Sequence, residues 1–303
     1  MPIFSIEGSK LRDIREVAFS KEAKLQELTE ANLETVLGLK FLSSGFKCRS
    51  LIIDTLAFNP ESKSFVVIEY KKEKNFTVID QGYAYLQLVV NNKADFVLEY
   101  NKQMNAKLDK KDVDWSQSRV LFVCPGFTEY QRQSINFRDL PMELWEVHKY
   151  DNGSISYDQI LPTQAEESIV TVAGKRGLVK DVIKEIRVTT EEDHIQRGSD
   201  QTRELYAHLK KHLLQFGGDV RVKPQKFYVA FKRSTNFADV EIQKSKLKVT
   251  INAPWGSLKD PTEIARNVKT KGHWGNGDYL VTVGTMGELP EVIGLISQSY
   301  NRN

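Results

Sequence analysis

Two apolar runs separated by a tight turn constrain this fold more than any other part of the chain. Residues 51–58 (LIIDTLAF) and 64–71 (SFVVIEYK) flank a five-residue segment that begins Asn59-Pro60. Asn and Pro suit the first two positions of a type I turn, so the runs predict a β-hairpin. Much of each run is apolar at both odd and even positions, which is typical of strands covered by helices on both faces of a sheet.

The segments around the hairpin predict alternating helices and strands. Apolar residues recur with helical spacing over residues 21–37 and 78–90, and a shorter helix is expected over 128–137. Short apolar runs predict strands over 120–124 and 144–150. The expected fold of this part is therefore α/β, with a mixed sheet flanked by helices.

A second unit is expected after a polar stretch that contains one predicted helix over residues 178–186. Apolar positions spaced i, i+4, i+7, i+8 and i+11 predict an amphipathic helix over 205–216. The rest of the chain predicts a smaller α+β unit, with strands over 219–223, 227–231, 237–243, 247–251 and 279–283 and helices over 262–268 and 289–299. We expect domains at residues 1–155 and 195–303, with 156–194 as a linker that carries a helix.

Composition narrows the class of protein. The chain of 303 residues exceeds one typical domain of about 150, it has no run of about 18 apolar residues, and its N-terminal segment lacks the apolar stretch of a signal peptide. Two cysteines, Cys48 and Cys124, are too few for a disulfide framework or a four-thiolate zinc site and are expected to be structural. We therefore expect a soluble, cytoplasmic protein with no membrane partner.

The net charge of +3 is unevenly distributed along the chain. Residues 1–194 hold 26 Lys+Arg and 30 Asp+Glu, whereas residues 195–303 hold 17 Lys+Arg and 10 Asp+Glu. A basic C-terminal third permits a polyanionic partner, but a solvated basic face explains the same numbers equally well.

The hairpin places charged residues on a face built for burial. If the strands pair symmetrically about residues 61–62, Asp54 faces Glu69, and Lys71 points to the same side as Glu69. Buried carboxylates are costly unless they are paired or hold a cation. Carboxylate oxygens suit Mg²⁺, which polarises a phosphate and acidifies a bound water. The alternative interpretation of the same spacing is a salt-bridged cluster with a purely structural role.

The spacing of these residues resembles a known nuclease signature. Asp54, a fourteen-residue gap and Glu69-Tyr70-Lys71 are similar to the Asp…Glu-x-Lys pattern of the PD-(D/E)xK nucleases, the restriction-endonuclease-like superfamily. Ile53 stands where the name of the superfamily has a proline. The N-terminal domain also resembles the mismatch- and branch-cleaving endonucleases of archaea and actinobacteria, which share the tRNA-endonuclease-like fold.

Two flanking motifs extend the resemblance. Glu34, on the helix predicted before the hairpin, is similar to the glutamate of the superfamily's first motif. Gln81 and Tyr85 lie about one helical turn apart on the next predicted helix and resemble the Gln-x-x-x-Tyr motif of RecB-like members. Packing and hydrogen bonding within the domain explain Gln81 and Tyr85 equally well.

The resemblance implies metal-dependent hydrolysis of nucleic-acid phosphodiester bonds, with DNA favoured over RNA. Asp54 and Glu69 would hold Mg²⁺ or Mn²⁺, and Lys71 would position the attacking water. Glu34 would assist the metal or its waters, whereas Gln81 and Tyr85 would contact the phosphate. The rival hypothesis is a non-catalytic nucleic-acid-binding or interaction protein on the same fold, because such folds also persist as inactive scaffolds.

The whole chain also resembles a bacterial family of unknown function that is catalogued as transport proteins. Residues 54–57 (DTLA), 68–72 (IEYKK) and 272–278 (GHWGNGD) are similar to that family. In it a nuclease-like N-terminal domain precedes a conserved C-terminal domain. The transport label conflicts with the lack of an apolar run that could span a membrane, and we set it aside.

Four further residues are candidates for binding sites. Lys72, next to the Glu-x-Lys motif, and Trp274, in the glycine-rich segment, are candidate nucleic-acid contacts, since an exposed indole can stack on a base. The alternative for that segment is a simple turn into the next strand. His208 and His212 have a spacing that can bind zinc, but His212 falls on the apolar stripe, which favours core packing. A second copy of the chain is the remaining candidate partner.

Overall fold

The computed structural model describes residues 2–72, 77–137, 139–162, 182, 185–186 and 188–302. The chain divides into two compact units, Met1–Val188 and Thr189–Asn303. Within the described residues, each unit is built on a six-stranded sheet. No helix in the described part of the chain combines the length and apolarity needed to cross a membrane.

The sheet of the first unit is mixed. A separate two-stranded ribbon of β1 (Ile3–Glu7) and β2 (Lys10–Ile14) precedes it. The strands of the main sheet, in their side-by-side order, are β3 (Lys40–Cys48), β4 (Leu51–Asn59), β5 (Ser64–Tyr70), β6 (Arg119–Cys124), β7 (Met142–Lys149) and β8 (Ile155–Ile160). The pairs β5–β6 and β6–β7 are parallel and the other pairs are antiparallel.

Helices cover both faces of this sheet, as the two-sided apolar pattern of the hairpin predicts. The helices are α1 (Glu22–Glu30), α2 (Leu33–Leu37), α3 (Val78–Asn91), α4 (Lys93–Met104) and α5 (Glu129–Ser134). Leu25 and Leu33 pack with Ile68 on one face. Leu86 and Phe96 belong to the cluster on the other face. Every residue of β5 is buried, which explains why its sequence shows no alternation.

The helix predicted over residues 21–37 is in fact two helices. It is interrupted after Glu30, where the Asn32 side chain donates a hydrogen bond to the Leu28 carbonyl. Asn competes with the helix backbone for such bonds, which favours a break at this position. The second piece, α2, ends at Gly38, which has a positive φ of 66°.

The second unit carries an antiparallel sheet with helices packed against it. Its helices are α6 (Glu191–Ile195), α7 (Asp200–Leu214) and α8 (Leu289–Tyr300). Its strands are β9 (Arg221–Pro224), β10 (Val229–Lys232), β11 (Asn236–Ile242), β12 (Leu247–Ile251), β13 (Arg266–Asn267) and β14 (Tyr279–Val283), arranged in the order β13-β14-β12-β11-β10-β9. Leu205 and Leu209 of α7 and Ile296 of α8 share one core with the sheet.

One predicted helix is replaced by a turn and a short strand, and another falls mostly outside the described residues. Residues 262–268 are not a helix, because the Asp260 carboxylate accepts hydrogen bonds from the backbone N–H groups of Ile264 and Ala265, and Arg266–Asn267 then pairs with β14. The helix predicted over residues 178–186 falls on residues that lie outside the described part of the chain, except Val182, Glu185 and Ile186.

Candidate active site

The hairpin of β4 and β5 has the register that symmetric closure predicts. Asn59 pairs with Ser64, and the ladder continues to the pair of Thr55 and Ile68. Asp54 is the next residue along β4, where the ladder ends. There its Oδ2 accepts a hydrogen bond of 3.1 Å from the backbone N–H of Tyr70. The two strands therefore separate at Asp54, and a side-chain carboxylate replaces the next backbone acceptor.

Glu69 is the centre of a cluster of polar side chains buried beside Asp54. The residue is 3 % exposed. Oε1 accepts from Lys71 Nζ at 2.6 Å and from Gln81 Nε2 at 2.7 Å, whereas Oε2 accepts from the Tyr85 hydroxyl at 2.8 Å. One ammonium and two neutral donors thus compensate the cost of burying this carboxylate. We call Asp54, Glu69, Lys71, Gln81 and Tyr85 the Glu69 cluster.

Helix α3 brings Gln81 and Tyr85 to Glu69. The two residues are one turn apart on the same helix face, and Gln81 Nε2 lies 3.3 Å from the Tyr85 hydroxyl. Between them stands Gly82, where a Cβ atom would lie only 2.5 Å from Met142 Sδ on β7. Glycine at this position therefore lets α3 approach the sheet closely enough for both side chains to reach Glu69.

Burial and charge shift the pKa values in the cluster. Burial, followed by the negative charge of Glu69, raises the pKa of Asp54 to about 6, although the Tyr70 N–H and Lys71 oppose this. Burial lowers the pKa of Lys71, but its hydrogen bond and attraction to Glu69 outweigh this and leave the pKa raised. Burial and the Glu69 charge raise the pKa of the Tyr85 hydroxyl. Lys71 is therefore an ammonium, and Tyr85 a neutral hydrogen-bond donor, at neutral pH.

The carboxylates of Asp54 and Glu69 are donors of the type that Mg²⁺ and Mn²⁺ prefer. Mg²⁺ commonly uses one or two protein carboxylates and completes its octahedral shell with waters and substrate phosphate oxygens. Asp54 and Glu69 supply such oxygens, and the negative charge of Glu69 is, after burial, the second cause that raises the pKa of Asp54. Within the described residues, no group of three His, Cys, Asp or Glu side chains is arranged to hold a metal. A cation here would thus depend on two carboxylates.

The structure does not bring Glu34 into the Glu69 cluster. Glu34 is an exposed residue of α2, and among the described residues no hydrogen bond or ion pair joins its side chain to Asp54, Glu69 or Lys71. The physical reason is the break between α1 and α2. Because of this break, Glu34 does not continue the face of α1 that lies against β4 and β5. The role predicted for Glu34 therefore has no geometric support.

Helix α1 supplies three polar residues that the sequence analysis missed. Glu22, Gln26 and Glu30 follow i, i+4, i+8 spacing on one face of the helix. Glu22 Oε2 accepts from the backbone N–H of Lys72 at 2.9 Å, and its charge further raises the pKa of Asp54. Gln26 Nε2 donates to the Asp54 carbonyl at 2.9 Å. This spacing was the signal that could have identified them.

Glu30 completes the row of polar side chains on α1. It accepts a hydrogen bond from the Thr55 hydroxyl and another of 3.0 Å from Gln26 Nε2. Thr55 is the residue that follows Asp54 on β4, so Glu30 and Gln26 both fix the strand beside the candidate ligand. The three residues of α1 thus lie along the border of the Glu69 cluster.

A cavity of about 420 Å³ lies at the carboxyl ends of the three parallel strands β5, β6 and β7. Lys72, Pro125 and Lys149, which end or follow these strands, contribute to its lining together with Phe19. Lys72 Nζ donates to the Ser20 carbonyl at 3.3 Å, and Lys149 Nζ lies 5.9 Å from the centre of the Phe19 ring. Ligands of open α/β sheets commonly bind at this end of the strands. Two ammonium groups therefore lie at this end of the parallel strands.

Three other predicted residues lie in the second unit. Trp274 is an exposed residue stacked on Phe227. His208 and His212 are exposed on α7, so the prediction that they pack in the core is wrong. The buried face of this helix is formed by Thr202, Leu205, Tyr206, Leu209 and Leu213. In the first unit, Cys48 and Cys124 are both buried, which agrees with a structural role.

The first unit is thus a mixed α/β fold with a carboxylate and lysine cluster where two of its strands separate. The chain belongs to the same family as an uncharacterized protein of Haemophilus influenzae, to which it is 42% identical over 299 residues, or 99% of each chain. Residues 191–303 match a family described as "Domain of unknown function (DUF5655)". That match covers nearly all of the second unit.

Two solved structures show weak similarity to the chain. A repair endonuclease from Pyrococcus abyssi is 18% identical, with 44% of this chain and 49% of that chain covered and a TM-score of 0.24. An EndoMS–dsDNA complex is 17% identical, with 48% and 64% covered and the same TM-score of 0.24. This chain therefore spans less than two thirds of either protein. A TM-score this low gives no support for a function. The functional proposal therefore depends on the geometry of the Glu69 cluster.

Proposed function

We propose that the first unit hydrolyses phosphodiester bonds of nucleic acid with the help of Mg²⁺ or Mn²⁺, and that DNA is preferred over RNA. The observation that carries this proposal is the convergence of three side chains, Lys71 after β5 and Gln81 and Tyr85 of α3, on the buried carboxylate of Glu69, with Asp54 beside it. These are the residues on which the sequence resembles the PD-(D/E)xK nucleases. The preference for DNA rests on that resemblance.

Asp54 and Glu69 are the residues that would hold the cation, which would polarise the phosphate and acidify a water molecule. Hydrolysis forms a bond between the water oxygen and phosphorus and breaks one P–O ester bond, so negative charge increases on the phosphate oxygens. The Lys71 ammonium lies 2.6 Å from Glu69 and is placed to stabilise that charge and to orient the water. Because Lys71 is held in its protonated form, we assign it an electrostatic role rather than that of a base.

Gln81 and Tyr85 act as positioning residues in this proposal. Both donate to Glu69 in the structure, so they fix the direction of its two oxygens. A direct contact of either residue with the phosphate, as the resemblance implies, remains a prediction. Lys72 and Lys149 would contact neighbouring phosphates of the strand from the cavity at the ends of the parallel strands.

A non-catalytic binding protein is the second candidate, and one observation favours it. The ion pair of Glu69 and Lys71 and the hydrogen bonds from Gln81 and Tyr85 satisfy the buried carboxylate without any cation. A cluster of this kind also stabilises a fold that has no catalytic role. The two candidates differ in whether the protein cleaves nucleic acid when a divalent cation is present.

Cleavage assays with a matched pair of variants separate the two candidates. Plasmid, single-stranded and branched DNA are incubated with the full chain in Mn²⁺, in Mg²⁺ and in EDTA. We expect metal-dependent cleavage by the wild type, its loss in Glu69→Gln, and its retention in Glu34→Gln, because Glu34 is an exposed glutamate outside the cluster. Failure of the wild type to cleave any substrate, or an unchanged rate in Glu69→Gln, would contradict the proposal.

A further inference from the structure

Two exposed aromatic rings of the second unit form a parallel stack. The ring centres of Phe227 and Trp274 are 3.8 Å apart, with 15° between the ring planes. Trp274 is nevertheless 52 % exposed and Phe227 is 36 % exposed. Phe227 covers one face of the indole, so the exposed area of Trp274 lies on its opposite face and its edges. A flat apolar surface of this kind is open to a further ring.

The loop that carries Trp274 is fixed by buried polar groups. Asp239, which is 1 % exposed, accepts a hydrogen bond of 2.6 Å from the backbone N–H of Asn276. The Thr250 hydroxyl donates to the carbonyl of Trp274 at 3.0 Å. These bonds hold residues 272–278 against β11 and β12, so the position of the indole is set before any ligand arrives.

Two glycines make this close approach possible. Gly275 has a φ of +99°, and a Cβ atom there would lie 2.8 Å from the Asp239 Cβ. Gly277 has a φ of +111°, and a Cβ atom there would overlap the Ile251 carbonyl oxygen. Side chains rarely adopt such φ values, so the loop needs glycine at both positions. The glycine-rich segment leads into β14, as the sequence predicts, and it also places Trp274 at the surface.

A second anchor fixes the turn that carries Phe227. The Gln225 carbonyl lies 2.6 Å from Nε2 of His194, a fully buried side chain. The backbone N–H of Gln225 donates to the Tyr228 carbonyl at 2.8 Å, which closes the turn around Phe227. Both rings are therefore held by the core of the second unit. A binding surface that is fixed in advance loses little conformational entropy when a ligand binds.

A lysine lies over the Phe227 ring, and another lies on the loop that carries Trp274. Lys226 Nζ lies 5.6 Å from the centre of the Phe227 ring, and the exposed Lys271 precedes Trp274 by three positions. With the boundary of the second unit at Thr189, that unit holds 17 Lys+Arg and 13 Asp+Glu. The net charge of this unit is +4, which is smaller than the net charge of residues 195–303 but is still positive. Cations beside a free aromatic face suit a ligand with both flat rings and negative charges.

We propose that Phe227 and Trp274 form a stacking platform that binds an unpaired base of single-stranded nucleic acid, with Lys226 and Lys271 contacting its phosphates. Aromatic stacking with nearby cations is the usual means of binding single strands without sequence preference. The platform lies in the second unit and its role is binding, so it does not depend on hydrolysis by the first unit.

Binding of a labelled oligothymidylate to the full chain tests this proposal. The measurement is fluorescence anisotropy in EDTA, so that cleavage plays no part, with an abasic strand of equal length as the probe for phosphate contacts alone. We expect the wild type to bind oligothymidylate about tenfold more tightly than the abasic strand. Trp274→Ala and Trp274→Leu should lose that preference, whereas Trp274→Phe should keep most of it.

Two controls separate stacking from other effects. Tyr130→Ala removes an exposed aromatic residue of the first unit, 87 % exposed, and should bind like the wild type. Binding is measured in EDTA, where no cleavage takes place, so the platform and the proposed hydrolysis can fail separately. Equal binding of oligothymidylate and the abasic strand by the wild type, or wild-type affinity in a folded Trp274→Leu variant, would overturn the platform.

Discussion

The Lys71 ammonium lies 2.6 Å from Oε1 of Glu69, the residue two positions earlier on the same chain segment. The two side chains share one side of the strand, and Asp54 stands across from them where β4 and β5 separate. Two negative charges and one positive charge thus share a partly buried space. This imbalance makes the cluster sensitive to pH and to the groups that hold Glu69 in place.

Lys71→Ala should lower the rate of cleavage by about 100-fold or more, because it removes the cation that stabilises charge in the transition state. Affinity for DNA should stay within a few-fold of the wild type, because this interaction serves the transition state more than the bound ground state. Single-turnover rates with Mn²⁺ and binding in EDTA measure the two quantities. Lys72→Ala is the matched control, and it should weaken binding while its rate at saturating DNA is retained. A wild-type rate in Lys71→Ala would end its catalytic assignment.

Asp54 should make stability of the metal-free protein depend on pH. Its pKa is about 6 in the folded protein and about 3.9 in an unfolded chain, so the folded state binds the proton more tightly. The contribution of Asp54 to the free energy of unfolding is therefore largest below about pH 4 and is lost as the pH rises through about 6.

Asp54→Asn removes this dependence and keeps an oxygen that can accept from the Tyr70 N–H. In EDTA the variant should therefore melt at a higher temperature than the wild type above about pH 6, and the difference should disappear near pH 4. Thermal melts of both proteins across this pH range measure the effect. A constant difference in melting temperature at all pH values would show that Asp54 does not titrate as described.

Tyr85→Phe should destabilise the protein by about 1–3 kcal/mol, because Oε2 of the buried Glu69 loses its donor. The effect should shrink when Glu69 is already replaced by Gln, since the charge that needs the hydroxyl is then absent. Urea denaturation of the two single variants and the double variant gives the coupling energy. Additive effects would mean that Tyr85 stabilises the fold through packing alone.

Gly277→Ala should destabilise the second unit by about 1–3 kcal/mol, since the residue has a positive φ and its new Cβ would overlap the Ile251 carbonyl. Gly272→Ala is the control, because a Cβ atom at Gly272 meets no atom within 4 Å. Thermal melts of both variants test the difference. Equal melting temperatures would show that the loop is not held as tightly as its contacts indicate.

The sequence predicts the hairpin of β4 and β5 well because the hairpin is determined by residues that are close together in the chain. The two-sided apolar pattern of residues 51–58 and 64–71 and the Asn59 turn predict the hairpin and its register, and both are confirmed. The i, i+4 spacing of Gln81 and Tyr85 predicts that they share one helix face. Their convergence on Glu69 depends on the close packing of α3 on β7, which the sequence does not show.

The errors arise where a side chain competes with the backbone. The Asn32 amide ends α1 before Glu34. The glutamates that contact the strands beside Asp54 are therefore Glu22 and Glu30, and not Glu34. The Asp260 carboxylate takes two N–H groups that a helix over residues 262–268 would have used. β3 was not predicted either, because five of its nine residues are polar or glycine and pairing with β4 stabilises it.

The central claim is that Asp54 and Glu69 hold a divalent cation. Its most direct test is the melting temperature of the wild type and of Asp54→Asn at neutral pH, with EDTA and with millimolar Mn²⁺. A ligand that binds the native state stabilises it by mass action, so Mn²⁺ should raise the melting temperature of the wild type. Asp54→Asn should melt no lower than the wild type in EDTA and should barely respond to Mn²⁺. A wild type that is indifferent to Mn²⁺, together with a destabilised Asp54→Asn, would contradict the claim.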